Sequence, residues 1–119
     1  MPIIRHCDQA LIQHSYRRIV TQAEGALTCT VWDQTLPPSG VIPLHAHQTE
    51  ETLTLLTGQL IVTVAQQTTI VERDMTILIP PGVLHSLRND TPTPARMLVF
   101  LPTAAPVIIS PDGSVRAME

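Results

Sequence analysis

Eleven prolines are scattered along this chain of 119 residues, and they limit what it can fold into more than any other feature. Proline locks φ, lacks a backbone donor and disrupts a helix interior by about 3 kcal/mol or more. Long helices are therefore excluded from the middle of the sequence. Between the prolines lie short apolar runs closed by turn residues, as an all-β chain requires. Leu27, Cys29 and Val31 alternate with Thr28, Thr30 and Trp32; Leu60, Val62 and Val64 alternate in QLIVTV, and Met75, Ile77 and Ile79 in MTILI. RMLVFLP, residues 96–102, is more continuously apolar, as a strand covered on both faces would be. Turns are signalled at Pro37-Pro38-Ser39-Gly40, Gly58-Gln59, Glu72-Arg73-Asp74, Pro80-Pro81-Gly82, Asn89-Asp90 and Pro111-Asp112-Gly113. Residues 8–24 are the one helix candidate. The pattern predicts one all-β domain over residues 1–119, a sandwich or small barrel, with flanking segments at 1–25 and 103–119.

Composition narrows the function classes. A net charge of −3 offers no basic face for nucleic acid. All seven basic residues are arginines, so lysine Schiff-base chemistry and a Walker-type phosphate loop are excluded. The first eighteen residues never gather the apolar stretch of roughly 7–15 residues that a signal peptide needs, and no run approaches the roughly 20 of a membrane span. The expectation is a soluble, cytoplasmic chain with neither nucleic-acid nor membrane partners. Cys7 and Cys29 stand far apart without a third thiol, which suits two reduced cysteines rather than a thiolate metal site.

The chemistry concentrates in HAHQTEETLTLLTG, residues 45–58. Side chains of a strand alternate between faces, so His45, His47 and Glu51 share a parity that Leu53 and Leu55 continue, while Glu50 has the opposite one. Burying such polar groups unpaired costs on the order of 2–7 kcal/mol each, and a divalent metal that takes their lone pairs removes that cost. A second segment, PPGVLHSLRN at residues 80–89, supplies His85 after a turn, with Leu87 and Asn89 at the same parity. Three imidazoles and one carboxylate can then meet from two strands, with one or two positions open to water, dioxygen or substrate. Open positions distinguish a working metal site from a structural one, and nitrogen and oxygen ligands without thiolate suit iron, manganese, nickel, cobalt or zinc.

These two segments resemble the paired motifs of the cupin superfamily. The first reads Gly40, four residues, His45-Ala46-His47, three residues, Glu51, six residues, Gly58; the second reads Pro80-Pro81-Gly82, two residues, His85, three residues, Asn89. The approach to His45 is one residue shorter than the common pattern, and Asp74 stands where the second motif opens with glycine; neither departure touches a ligand position. The resemblance implies a jelly-roll β-barrel with one divalent transition metal per chain held by His45, His47, Glu51 and His85. It also implies a homodimer, because cupins commonly pair through their outer sheet and RMLVFLP needs cover.

The ordinary alternatives differ by residue. Surface or core histidines are the alternative for His45, His47 and His85, and a bulge exchanging Glu50 for Glu51 is the alternative for the carboxylate. Asn89 is expected to hold a turn, Arg88 to be solvated, and His6 and His14 to be ordinary surface residues. The expected cavity lining is Leu53, Leu55, Met75, Ile77 and Leu87, with Trp32 at the mouth. Fold alone assigns no reaction. The leading expectation is a metal-dependent dioxygenase or isomerase acting on a small organic molecule, with Glu51 able to shift and accept a proton. The second is a non-catalytic binding or sensor domain whose metal anchors a ligand. No second carboxylate or serine stands where acid–base work would need it, which disfavours carbohydrate epimerisation.

Overall fold

The computed structural model describes residue 3 and residues 16–118. Eleven strands account for its regular structure: β1 (Tyr16–Val20), β2 (Thr30–Leu36), β3 (Val41–His45), β4 (Glu51–Thr57), β5 (Gln59–Val64), β6 (Gln67–Glu72), β7 (Thr76–Ile79), β8 (His85–Arg88), β9 (Ala95–Leu101), β10 (Val107–Ile109) and β11 (Val115–Ala117). They form a five-stranded sheet in the order β1-β2-β9-β4-β7, a four-stranded sheet in the order β3-β8-β5-β6, and the hairpin β10-β11. Every pairing is antiparallel. Among the described residues the two sheets are open and do not close into one continuous hydrogen-bonded barrel.

The core is made by alternate residues of both sheets. Leu36, Leu53, Leu55, Met97, Val99 and Leu101 come from the larger sheet and Leu60, Val62, Val71 and Leu87 from the smaller, all within one buried cluster. Each such side chain contributes about 1.5–3 kcal/mol when buried. Strand β9 is not covered on both faces: Met97, Val99 and Leu101 are buried while Arg96 and Phe100 are exposed, so it alternates like its neighbours. Strand β2 turns Thr30, Trp32 and Leu36 inward and leaves Val31 half-buried, and Leu27 lies outside the strand, exposed. Residues 16–24 of the helix candidate are β1 followed by a 3₁₀ turn, Gln22–Glu24, capped by Thr21; residues 8–15 lie outside the described residues. Cys29 is a free thiol, and Cys7 lies outside the described residues.

Two motif positions explain their residues. Gly58 turns β4 into β5 at φ 87°, and a Cβ there would lie 2.7 Å from the Pro94 carbonyl oxygen and 2.8 Å from Ala95 Cα, so only glycine fits. Asp74, at the position where the resembled second motif opens with glycine, adopts φ 69° and does the same turning with a side chain in place. Its backbone N–H bonds the Leu55 carbonyl at 2.9 Å, and its carboxylate is solvated beside Arg73. A left-handed conformation costs a residue with a Cβ roughly 1–2 kcal/mol, offset in part by the extra backbone entropy of glycine. Asp74→Gly is therefore expected to stabilise the fold by roughly 0.5–1 kcal/mol, read as a higher midpoint in urea unfolding with an unchanged slope.

Candidate metal centre

The three histidines reach one point from different elements. His45 ends β3, His47 lies in the following loop, Glu51 opens β4 and His85 opens β8. The first motif thus crosses from the smaller sheet to the larger; the four groups do not share the face of one strand. His45 and His85 are direct cross-strand partners on β3 and β8. The ligating atoms of His45, His47 and His85 lie within 4.8 Å of one another, with ring centroids 4.9, 4.3 and 5.6 Å apart. His47, Glu51 and His85 are buried, His45 is half-buried, and Glu50 is exposed.

Each imidazole is oriented by the main chain. Nδ1 of His45 bonds the Pro43 carbonyl at 2.7 Å, Nδ1 of His47 the Val107 carbonyl at 2.7 Å, and Nδ1 of His85 the Val83 carbonyl at 3.0 Å. A carbonyl only accepts, so each Nδ1 carries the proton and each neutral ring presents a lone pair at Nε2. Nε2 of His85 lies 2.9 Å from Glu51 Oε1, and Nε2 of His47 lies 3.7 Å from the same oxygen. The 2.9 Å pair is close without being aligned as a hydrogen bond: His47 Nε2, His85 Nε2 and Glu51 Oε1 are all buried with no hydrogen-bond partner. Three buried, unpartnered polar atoms around one point are what a divalent cation would satisfy, and the donor set fits one. Burial pulls the His45 imidazole down to about 4, so it is neutral near pH 7. Burial acts in the same direction on His85, but the Glu51 carboxylate beside it outweighs that and holds it above its ordinary value.

The cluster borders a cavity of about 920 Å³. Of the expected lining, Trp32, Leu53 and Leu87 border it. Leu55 is fully buried in the core two residues beyond Leu53 and does not reach the cavity. Ile77 pairs with Leu53 but lies on the edge strand β7, packed against the core rather than the cavity. Met75 precedes β7 in a turn, its backbone N–H bonded to Glu72, and is 47% exposed; strand alternation does not extend to it. Arg116, Ile108 and Met118 of the C-terminal hairpin line the cavity, as does Gln34 of β2, and sequence reasoning missed all four. The hairpin strands have three residues each, too short for a period to register. Asn89 holds a turn as expected, and Arg88 pairs in solvent with Asp90 at 3.0 Å. Arg96 bonds Asp33 on the larger sheet.

Two facing antiparallel sheets with a cavity and a three-imidazole cluster beside one carboxylate define a small β-protein with a candidate metal centre. The family profile of the cupin domain matches residues 32–101. The chain belongs to the cupin superfamily. Similar solved structures include the polyketide cyclase RemF from Streptomyces resistomycificus, with TM-score 0.79 and 21% identity over 100% of this chain and 86% of that one. The cupin domain of Schizosaccharomyces pombe Cnp3 has TM-score 0.69 and 17% identity over 82% of this chain and 70% of that one. A salicylate 1,2-dioxygenase from Pseudaminobacter salicylatoxidans has TM-score 0.61 and 24% identity over 63% of this chain, which spans only 22% of the dioxygenase. No curated protein matches the sequence. Among the described residues no helix is long and apolar enough to cross a membrane.

Proposed function

We propose that this protein is a metal-dependent cupin enzyme of the dioxygenase or isomerase type, acting on a small organic molecule held in the cavity. The observation that carries this reading is the set of three Nδ1-anchored imidazoles whose Nε2 atoms converge beside the buried carboxylate of Glu51. A divalent transition metal held by His45, His47, His85 and Glu51 would supply Lewis-acid chemistry, and iron or manganese would add redox chemistry. The protein's own groups supply the rest. Trp32, Leu53 and Leu87 keep the approach to the cluster apolar and so strengthen every electrostatic interaction inside it. Glu51, by shifting off the metal, would be the group to accept a proton from a molecule in the cavity. Two structural neighbours named as enzymes, the cyclase and the dioxygenase, support the reading. We read the two facing sheets as the halves of a jelly-roll barrel.

A second reading, a binding or sensor domain whose metal anchors a ligand without turnover, is favoured by one observation: among the described residues, Glu51 is the one carboxylate lining the cavity. Elemental analysis should find close to one divalent transition metal per chain; no metal, together with no uptake of iron, manganese, nickel, cobalt or zinc near neutral pH, overturns both readings. Oxygen consumption by iron- or manganese-loaded protein across a panel of small aromatic and aliphatic substrates separates the dioxygenase from the binding domain.

A homodimer through the larger sheet completes the proposal. Leu78, Thr52, Phe100 and Val31 form one row across its outer face, with Leu78 58% and Phe100 39% exposed. Such a row needs cover. Sedimentation should show a dimer at micromolar concentration, and Phe100→Arg should yield the 13.0 kDa monomer.

A further inference from the structure

Among the described residues, Arg116 is the charged side chain on the cavity wall beyond the imidazoles and Glu51. Every other described arginine has a carboxylate beside it: Arg17 and Arg96 share Asp33, Arg18 meets Glu24, Arg73 meets Asp74 and Arg88 meets Asp90. Among the described residues Arg116 alone of the arginines has no ion pair and no hydrogen bond from its side chain.

Its direction follows from strand register. Antiparallel pairing sets Ile108 of β10 opposite Arg116 of β11, so the two share a face, and Met118 lies two residues further along it. Ile108, Arg116 and Met118 all line the cavity. The hairpin is firmly held. Ala46 and Ile109 exchange backbone hydrogen bonds of 2.9 and 2.8 Å, and the Met118 N–H bonds the Pro106 carbonyl at 3.0 Å. The turn is fastened by Asp112, whose carboxylate accepts the Ser114 N–H at 2.9 Å and its hydroxyl at 2.7 Å. Arg116 is exposed whereas His47, His85 and Glu51 are buried, which places the guanidinium at the solvent side of the cavity and the cluster inside.

A guanidinium offers a planar fork of donors matched to a carboxylate, and it is charged at every working pH. The walls between it and the cluster are mainly apolar, among them Trp32, Leu36, Leu53 and Val99, with Gln34 and Ser110 as the uncharged polar side chains of the lining. With a divalent cation at the cluster, the described lining would carry more positive than negative charge, since Glu51 is its one carboxylate. We propose that Arg116 is a specificity residue that pairs with the carboxylate of an organic anion whose apolar body fills the cavity. The proposal names the substrate class of the site read above, and it rests on that reading.

Trp32 is the single tryptophan and lines the cavity, so its indole N–H resonance reports occupancy. Benzoate and its neutral counterpart benzamide serve as probes, titrated into chelator-treated and zinc-loaded protein, with zinc uptake followed separately by equilibrium dialysis. Benzoate should bind about tenfold more tightly than benzamide to the metal-free protein, and Arg116→Gln should erase that preference without changing benzamide binding. Arg116→Lys should restore part of it. The proposal is overturned if Arg116→Gln leaves the ratio unchanged in both forms, or if benzoate and longer aryl carboxylates fail to move the Trp32 resonance at millimolar concentration. Absence of zinc uptake with the Arg116-dependent preference intact would instead remove the metal reading and leave the anion site standing.

Discussion

Replacing His47 with alanine is expected to lower affinity for a divalent transition metal by on the order of a hundredfold or more while leaving the strands folded. A structural zinc site with four ligands is worth roughly 10–16 kcal/mol, so losing one ligand forfeits about a quarter of that. His47 Nε2 is buried and unpartnered, with no competing hydrogen bond to soften the loss. The fold is expected to stand without an ion, because Leu55, Leu60, Val62, Met97 and Leu101 are already packed between the sheets. Stripping metal should therefore cost only the linkage free energy, roughly 4 kcal/mol at a thousandfold excess over the dissociation constant. Calorimetric titration reads the affinity and circular dichroism the strands; loss of the β signal on chelation near room temperature would make the site structural. Glu51→Gln should weaken binding and Glu50→Gln should not, since Glu51 is buried against the imidazoles and Glu50 faces solvent. The pH profile has a sign. His45, lowered to about 4, holds no competing proton near neutrality. His85, raised above 6.5, does, so affinity should begin to fall with decreasing pH while still above 6.5.

Asn89→Asp should destabilise the protein by roughly 4 kcal/mol, lowering the thermal midpoint by roughly 15 °C for a chain of this size. Asn89 is fully buried. Its Nδ2 donates to the carbonyls of Leu36 at 3.0 Å and Thr93 at 2.8 Å, and its Oδ1 accepts the Thr91 N–H at 2.9 Å and hydroxyl at 2.7 Å. Aspartate keeps the acceptor and removes both donors, leaving a buried charge against two carbonyl oxygens. Each unsatisfied buried group costs about 1–3 kcal/mol, and the charge adds to that. The backbone of Asn89 also bonds Gly40 and Ser39, which lead into β3, so the change loosens both strands that carry His45 and His85. Thermal and urea unfolding measure it, with Asn89→Ala as the smaller loss; an effect below about 1 kcal/mol would show that water replaces the side chain.

The sequence showed the chemistry more clearly than the geometry that makes it. The spacing of His45, His47, Glu51 and His85 was legible, yet a single strand parity does not hold across a segment that leaves one sheet and enters another. Residues between turn and strand cannot be told from strand by alternation, which also explains Met75, outside β7 and exposed. Ala65 and Gln66, at φ 49° and 68°, form the β5–β6 turn without the glycine or asparagine that signals one. The hairpin's turn was signalled at Pro111-Asp112-Gly113, but its place on the cavity was not legible, because that depends on the Ala46–Ile109 bridge, a contact between residues far apart in sequence. Leu53 was legible at the cavity because β4, seven residues long, carries a clear period.

The anchoring of the imidazoles bears on how such a protein can diversify. Pro43, Val83 and Val107 hold the three rings through their carbonyl oxygens, not their side chains. Many metal sites depend on a carboxylate behind each histidine, and a single substitution deletes that support. Here the acceptor is part of every amino acid, so mutation at these three positions leaves it in place as long as the backbone path holds. The wall of the cavity is then free to drift toward new ligands without turning the three rings, and variation in the pocket is decoupled from the geometry of the imidazole cluster.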